Sequence, residues 1–239
     1  MNKEEFITET KKLGINIDEK ILNKLDLYSK FLMEYNHHTN LTAIKDEESI
    51  YLKHFYDSLT ITKVIDLTKV NNLLDIGSGA GFPGMVLKIF FPNLDVYLID
   101  SNNKKTKFLM ELKEKLNIQK VEIINDRVEN FSKNHLNFFD VVTSRAVANL
   151  TVLTEISLPL VKQNKYFIPL KGSNEEEINN ASYAIEYLNS IVIQKEFFPL
   201  YKNNDFRTIL KIKKLNSTKL EDLRSYDKII KKPLQKKTK

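Results

Sequence analysis

Cysteine is absent from the 239 residues, which removes disulfides, thiolate nucleophiles and Cys-ligated zinc or iron–sulfur sites together. No apolar run approaches the ~20 residues that a spanning helix needs. Met1-Asn2-Lys3-Glu4-Glu5 leads into no apolar signal core, so the chain is expected to be soluble, cytoplasmic and without a membrane partner. His37 and His38 stand in a polar, turn-like stretch without carboxylate partners at metal spacing, and no metal site is expected. Excess charge is also missing from most of the chain. The net charge is +6, and residues 214–239 carry eight Lys and one Arg against three acids, so the whole excess lies in that tail. The tail reads equally as a phosphate-contacting arm and as a solvated lysine-rich segment.

What is present is enough for one α/β domain with appendages, and 42% apolar residues are enough to bury a core. Residues 18–35 place Ile21, Leu25, Tyr28, Leu32 and Tyr35 at helical spacing behind Asp18 as N-cap. Asp46 then starts a second helical run in which Leu52, Phe55 and Leu59 share a face, and residues 1–62 read as a helical extension. From Val70 the pattern changes to short apolar runs: Asn72–Ile76, Val96–Asp100, Val121–Asn125, Asp140–Ser144 and Tyr166–Leu170. Helical stretches near 84–91, 103–117, 148–161 and 174–189 separate or follow them. This alternation predicts a Rossmann-like α/β domain over 63–213, a mostly parallel sheet with helices on both faces. Ile191–Phe198 and Arg207–Lys213, joined by Asn203-Asn204-Asp205, predict a closing antiparallel hairpin. Residues 214–239 form the basic tail, with weak helical periodicity through Leu220, Leu223 and Ile230.

The strongest local signal is Leu73-Leu74-Asp75-Ile76-Gly77-Ser78-Gly79-Ala80-Gly81-Phe82-Pro83-Gly84, an apolar strand running into a glycine-dense turn and a helix. Gly79 to Gly84 also satisfies the dinucleotide pattern G-x-G-x-x-G, with Asp100 near the spacing of a ribose-binding acid. Asp75, ahead of the first glycine in the frame D-x-G-x-G-x-G, favours S-adenosylmethionine: a carboxylate there pairs with a ligand ammonium but repels a pyrophosphate. A nicotinamide-dependent oxidoreductase is the alternative reading, and a non-catalytic RNA-binding module is another.

Asp100 ends the second strand, where it can take ribose hydroxyls or cap the helix from 103, a task Ser101 can also fill. Asp126-Arg127-Val128-Glu129 follows the third strand, with Val128 as an apolar wall for an adenine. Arg145, in Thr143-Ser144-Arg145-Ala146-Val147, ends the fourth strand over the same crevice, where it steers an anionic substrate, bonds a base oxygen or makes a surface salt bridge. His54, Asp57 and Ser58 have the residue types of a hydrolase triad but lie too close on one helix, and read as a face packed against the core.

With these residues the chain resembles the RsmG (GidB) family, bacterial small-subunit ribosomal RNA guanine-N7 methyltransferases, from about residue 20 to 213. The likeness is carried by Tyr35-Asn36 with Asn40-Leu41-Thr42, His54-Phe55-Tyr56-Asp57-Ser58-Leu59, the Asp75–Gly84 loop, Leu98-Ile99-Asp100-Ser101, Asp126-Arg127-Val128-Glu129, Ser144-Arg145-Ala146 and Leu170-Lys171-Gly172. The resemblance implies cofactor contacts at Gly77, Phe82, Val128, Glu129 and Arg145, beside the Asp75, Gly79 and Asp100 read from the loop. It also implies a guanine of 16S rRNA, free or in the small ribosomal subunit, as substrate. In the tail only Lys231-Lys232-Pro233-Leu234 is similar to the basic ends of some members.

The chemistry agrees with this likeness. Methylation at pyrimidine C5 usually needs a cysteine, which is absent. Exocyclic amines commonly call for an Asn/Asp-Pro-Pro-aromatic turn where Ser144-Arg145-Ala146 stands. Guanine N7 is already a lone-pair nucleophile, so transfer requires alignment and no general base. No acid–base residue is assigned; Arg145 is the expected substrate orienter, and the chain is expected to act as a monomer.

Overall fold

The described strands are β1 (Asn72–Ile76), β2 (Asp95–Ile99), β3 (Val121–Ile124), β4 (Phe139–Arg145), β5 (Val161–Gly172), β6 (Ser190–Pro199) and β7 (Phe206–Lys214). They form one sheet in the order β3-β2-β1-β4-β5-β7-β6. The structure is a computed structural model and describes residues 1–173, 175–202 and 204–235. Asn174 at the start of an expected helix, Asn203 of the hairpin loop and tail residues 236–239 lie outside the described residues. β1 to β5 pair in parallel, while β7 runs antiparallel between β5 and β6. The expected Rossmann-like sheet with its closing hairpin is therefore present.

Strand order reverses between β1 and β4, the switch point where the following loops part and open a crevice. Ile76 lies level with Ile99 of β2 and Ser144 of β4, and Ile99 with Ile124 of β3. The strands thus end on one line, which brings Gly77, Asp100, Val128 and Arg145 to a single edge.

Both faces of the central strands β1 and β4 are covered, which explains why they read as near-continuous apolar runs. Leu73 and Leu98 face a core shared with α5 (Gly84–Phe90), α6 (Asn103–Lys115) and the N-terminal helices. Leu74 and Val142 face a second core built with α7 (Val128–Phe131), α8 (Leu150–Ser157), α9 (Glu175–Tyr187) and α10 (Tyr226–Lys231).

The extension holds α1 (Lys3–Lys12), α2 (Glu19–Thr39), α3 (Glu47–Ile50) and α4 (Asp57–Leu59). Asp18 caps α2 by accepting from the Ile21 amide, as expected. α1 was not signalled by apolar periodicity; a capping box between Asn2 and Glu5 starts it, and Phe6 is fully buried. α2 runs on to Thr39, so His37 and His38 belong to its last turn and not to a loop, and Asn40 ends it with φ +51°. The run from Asp46 is no uniform helix: a single α turn passes into a π-helical segment over Tyr51–Tyr56 before α4. Phe55 and Leu59 are buried there, whereas Leu52 is half-buried.

The tail also departs from the solvated segment that its composition allows. Lys214, the last residue of β7, is fully buried and its ammonium donates to Asn137 Oδ1 and to the carbonyls of Leu158 and Val161 at 2.7, 2.8 and 2.9 Å. Burial pushes its pKa down to about 7, while those acceptors favour the charged form. The expected helical stripe does not form, since Leu220 and Ile230 are exposed and Ile229 is the anchored residue. Arg224 pairs with Glu155 of α8 at 2.7 Å.

Candidate active site

The Gly77–Gly84 turn leaves β1 and folds back on β2. Gly77 and Ser78 both donate to the Ile99 carbonyl, at 2.8 and 3.1 Å. Gly77 has φ +67°, and a Cβ on it would lie 2.5 Å from Val147 Cγ2, so backbone conformation and a crowded neighbour both require glycine. The extension holds the turn from outside. Tyr28, fully buried in α2, donates its hydroxyl to the Ala80 carbonyl. Burial raises the Tyr28 pKa well above the usual phenol value, so it remains a donor.

Phe82 is sandwiched between Tyr28, at 5.4 Å and 8°, and His54, at 4.2 Å and 13°. It lies under the loop and does not line the cofactor-sized cleft. Asp75 is also beneath the loop. Its Oδ2 accepts from the Gly84 amide at 2.9 Å, and its buried Oδ1 has no hydrogen-bond partner. Burial pushes the carboxyl up to about 7, against the pull of the Gly84 amide and the Arg145 charge.

Asp100 is 7% exposed, and its two oxygens accept from the amides of Gly79, at 3.0 Å, and Asn102, at 2.9 Å. The cap of α6 is neither Asp100 nor Ser101 but Asn102, which accepts from the Lys104 amide. Asp100 is thereby left at the head of a cleft of about 350 Å³ lined by Gly77, Asp126, Val128, Glu129, Ala146 and others. Val128 gives this cleft an apolar wall, and the Glu129 carboxylate is tied to Arg127.

Arg145 turns away from that cleft. Its guanidinium donates to the Lys53 carbonyl at 2.8 Å, to Asp57 Oδ2 at 3.2 Å and to His54 Nδ1 at 3.0 Å, and sits 5.2 Å over the Phe82 ring. Arg207 of β7 donates from Nε to both oxygens of Asp57, at 3.0 and 3.1 Å. Burial and the Arg145 charge push His54 down to about 3. It is therefore neutral, accepting at Nδ1 and donating from Nε2 to Thr42 Oγ1 at 2.9 Å. Ser58 donates to the His54 carbonyl at 2.6 Å, so the three form no nucleophilic relay.

These groups border a second cavity of about 470 Å³, lined by Ile44, His54, Arg145, Lys171, Gly172 and Arg207 among others. Ala146, at φ +56°, lines both cavities and turns the chain so that Arg145 serves one and Val147 the other. His54 and Asp57 act as more than a packed helix face, since they fix the arginine. A histidine and an aspartate three residues apart on an apolar face are the only sequence sign of this. Arg207 gave none, because its partner is 150 residues away. No group of three or more His, Asp or Glu able to hold a metal ion occurs among the described residues.

Solved structures similar to this one in fold include M. jannaschii TYW2 in complex with AdoMet, 13% identical with a TM-score of 0.57, covering 72% of this chain and 80% of that one. M. capricolum TrmK in complex with S-adenosyl-homocysteine is 20% identical with a TM-score of 0.52, covering 68% and 69%. These likenesses define the fold as Rossmann-like. The family model for rRNA small subunit methyltransferase G matches residues 21–205. Proteins of that name from Bacillus subtilis (strain 168) and Acholeplasma laidlawii (strain PG-8A) are 41% and 42% identical, covering 91% and 84% of this chain and 92% and 88% of their own. The chain belongs to the rRNA small subunit methyltransferase G (GidB) family, as an rRNA methyltransferase. That membership removes the nicotinamide and non-catalytic readings of the glycine turn.

Proposed function

We propose that the chain methylates N7 of a guanine in 16S rRNA, with S-adenosylmethionine in the Asp100 cleft and the target base in the Arg145 cavity. The observation that carries this reading is the shared wall at Ala146, which lets a donor in one cavity meet an acceptor in the other at the end of β4.

The residues present fit the cofactor. Asp100, positioned by two amides, accepts from ribose hydroxyls, and Val128 walls the adenine. Gly77 and Gly79 bring backbone close to the ligand. The unpartnered Oδ1 of Asp75 is the group that a ligand ammonium would satisfy. Phe82 acts from beneath, by fixing the turn, and Glu129 closes the adenine end with Arg127. Bound S-adenosylmethionine supplies an electrophilic methyl group.

Guanine N7 carries no proton, so the protein's task is alignment. Arg145, held by Asp57, neutral His54 and the Lys53 carbonyl, is aimed to donate to the guanine O6. Arg207 and Lys171 add positive charge for the flanking phosphates. This reading places the protein in the cytoplasm as a monomer whose partner is 16S rRNA or the small subunit.

The test is transfer of labelled methyl from S-adenosylmethionine to 16S rRNA, free and in small subunits from a strain lacking the protein, followed by nucleoside mass spectrometry. Label in 7-methylguanosine is expected. Label confined to another nucleoside would overturn the N7 assignment.

A further inference from the structure

We propose that the tail supplies a wall of the cofactor cleft: Tyr226 flanks the adenine end and is a determinant of affinity for adenosine-containing ligands. This rests on the cofactor reading above.

Tyr226 lies beyond residues 21–205, which the family model matches, yet it lines the same cleft as Asp100 and Val128. Its ring is held against the Arg127 guanidinium, whose Cζ is 4.4 Å from the ring centroid, and Arg127 immediately precedes Val128. The segment is fixed on both sides of the ring. Upstream, Arg224 pairs with Glu155 at 2.7 Å, and the Thr218 amide donates to Asn137 Oδ1 at 2.9 Å. Downstream, Ile229 is 3% exposed in the core that contains Ile156, itself a cleft residue. A half-buried phenol ring beside a guanidinium, lining the same cleft as Val128, is a stacking surface for a purine. The tail's charge is thus secondary to its aromatic residue in this role.

The experiment is calorimetric titration of the full chain with S-adenosylhomocysteine and with 5′-methylthioadenosine, which has the adenosine but not the amino-acid end. Tyr226→Ala and Tyr226→Leu are each expected to weaken both ligands about tenfold. Tyr226→Phe, which keeps the ring, should restore affinity. Ile229→Asn, which releases the anchor without touching the cleft, should reproduce the loss. Because binding and tail ordering are reciprocal, S-adenosylhomocysteine should slow tryptic cleavage after Lys228 and Lys231. Equal affinities for wild type and Tyr226→Leu would overturn the wall while leaving the cofactor reading intact. Weakening of S-adenosylhomocysteine alone would also overturn it, by placing the effect at the other end of the ligand. A wild-type chain that binds neither ligand would overturn both readings.

Discussion

Arg145 and Asp57, 88 residues apart in sequence, meet in a buried ion pair of 3.2 Å with side chains 15% and 4% exposed. The pair joins the end of β4 to the helical extension. Arg207 shares the same carboxylate, so two cations depend on one anion.

Asp57→Ala leaves both arginines without their counter-ion in a poorly solvated place. Removing one partner of such a pair costs about 3 kcal/mol. Urea unfolding should show this loss, and an unchanged midpoint would mean that the ion pair contributes nothing net.

Arg145→Ala removes the proposed donor to the target base. One well-placed side-chain contact to a base edge is worth about 1–3 kcal/mol, so methyl transfer to rRNA should fall roughly 10- to 100-fold. Cofactor affinity measured alongside separates substrate orientation from cofactor contact. If neither changes, Arg145 has no part in the site.

With the cofactor placed as proposed, Asp75 is expected to link cofactor affinity to pH. Its carboxyl is pushed up to about 7, so in the free protein it gains a proton as pH falls below that value. The raised value has the opposite sign to the usual salt-bridged carboxylate. Its contribution to fold stability therefore falls as pH rises from the unfolded carboxylate range towards 7. The charged groups that act on it are Arg145, which favours the carboxylate, and Asp100, which opposes it. Pairing with a ligand ammonium requires the carboxylate, so binding near pH 6.5 should release protons and tighten as pH rises to 7.5. Calorimetry in buffers of different ionisation enthalpy measures that release. Asp75→Asn should abolish it, and a wild type that releases none contradicts the pairing.

Lys214→Met places an apolar tip against carbonyls that lose their donor. A loss of about 3 kcal/mol in chemical denaturation is expected, far more than for an exposed lysine. Lys219→Met, at a solvent-exposed tail position, is the control and should change stability by less than about 0.5 kcal/mol.

Much of the architecture was legible because the central strands are buried on both faces and carry short apolar runs. β1 matches its sequence reading residue for residue, whereas β5 begins at Val161 instead of Tyr166. Residues 162–165, Lys-Gln-Asn-Lys, look like a loop; they lie where the pairing of β5 with β4 shifts register between Val161 and Tyr166, and Asn164 there has φ +64°. Gly77, Gly79, Asp100 and Val128 could be placed at one edge because each follows or ends a strand. What sequence could not give was side-chain direction. Asp100 follows β2 and Arg145 ends β4, the two strands that flank β1, yet the left-handed turn at Ala146 sends Arg145 into a separate cavity. His54 and Arg207 join it through contacts across 91 residues and, by way of Asp57, 150 residues. No local pattern encodes such distances.

β7 lies between β5 and β6, although β6 precedes it in the chain. During synthesis β6 therefore emerges with no strand to join, and β5 keeps an open edge until residues 206–214 arrive. Arg207, which secures Asp57, is delivered by that same last strand. The order of translation thus makes the cavity around Arg145 one of the final features to be assembled.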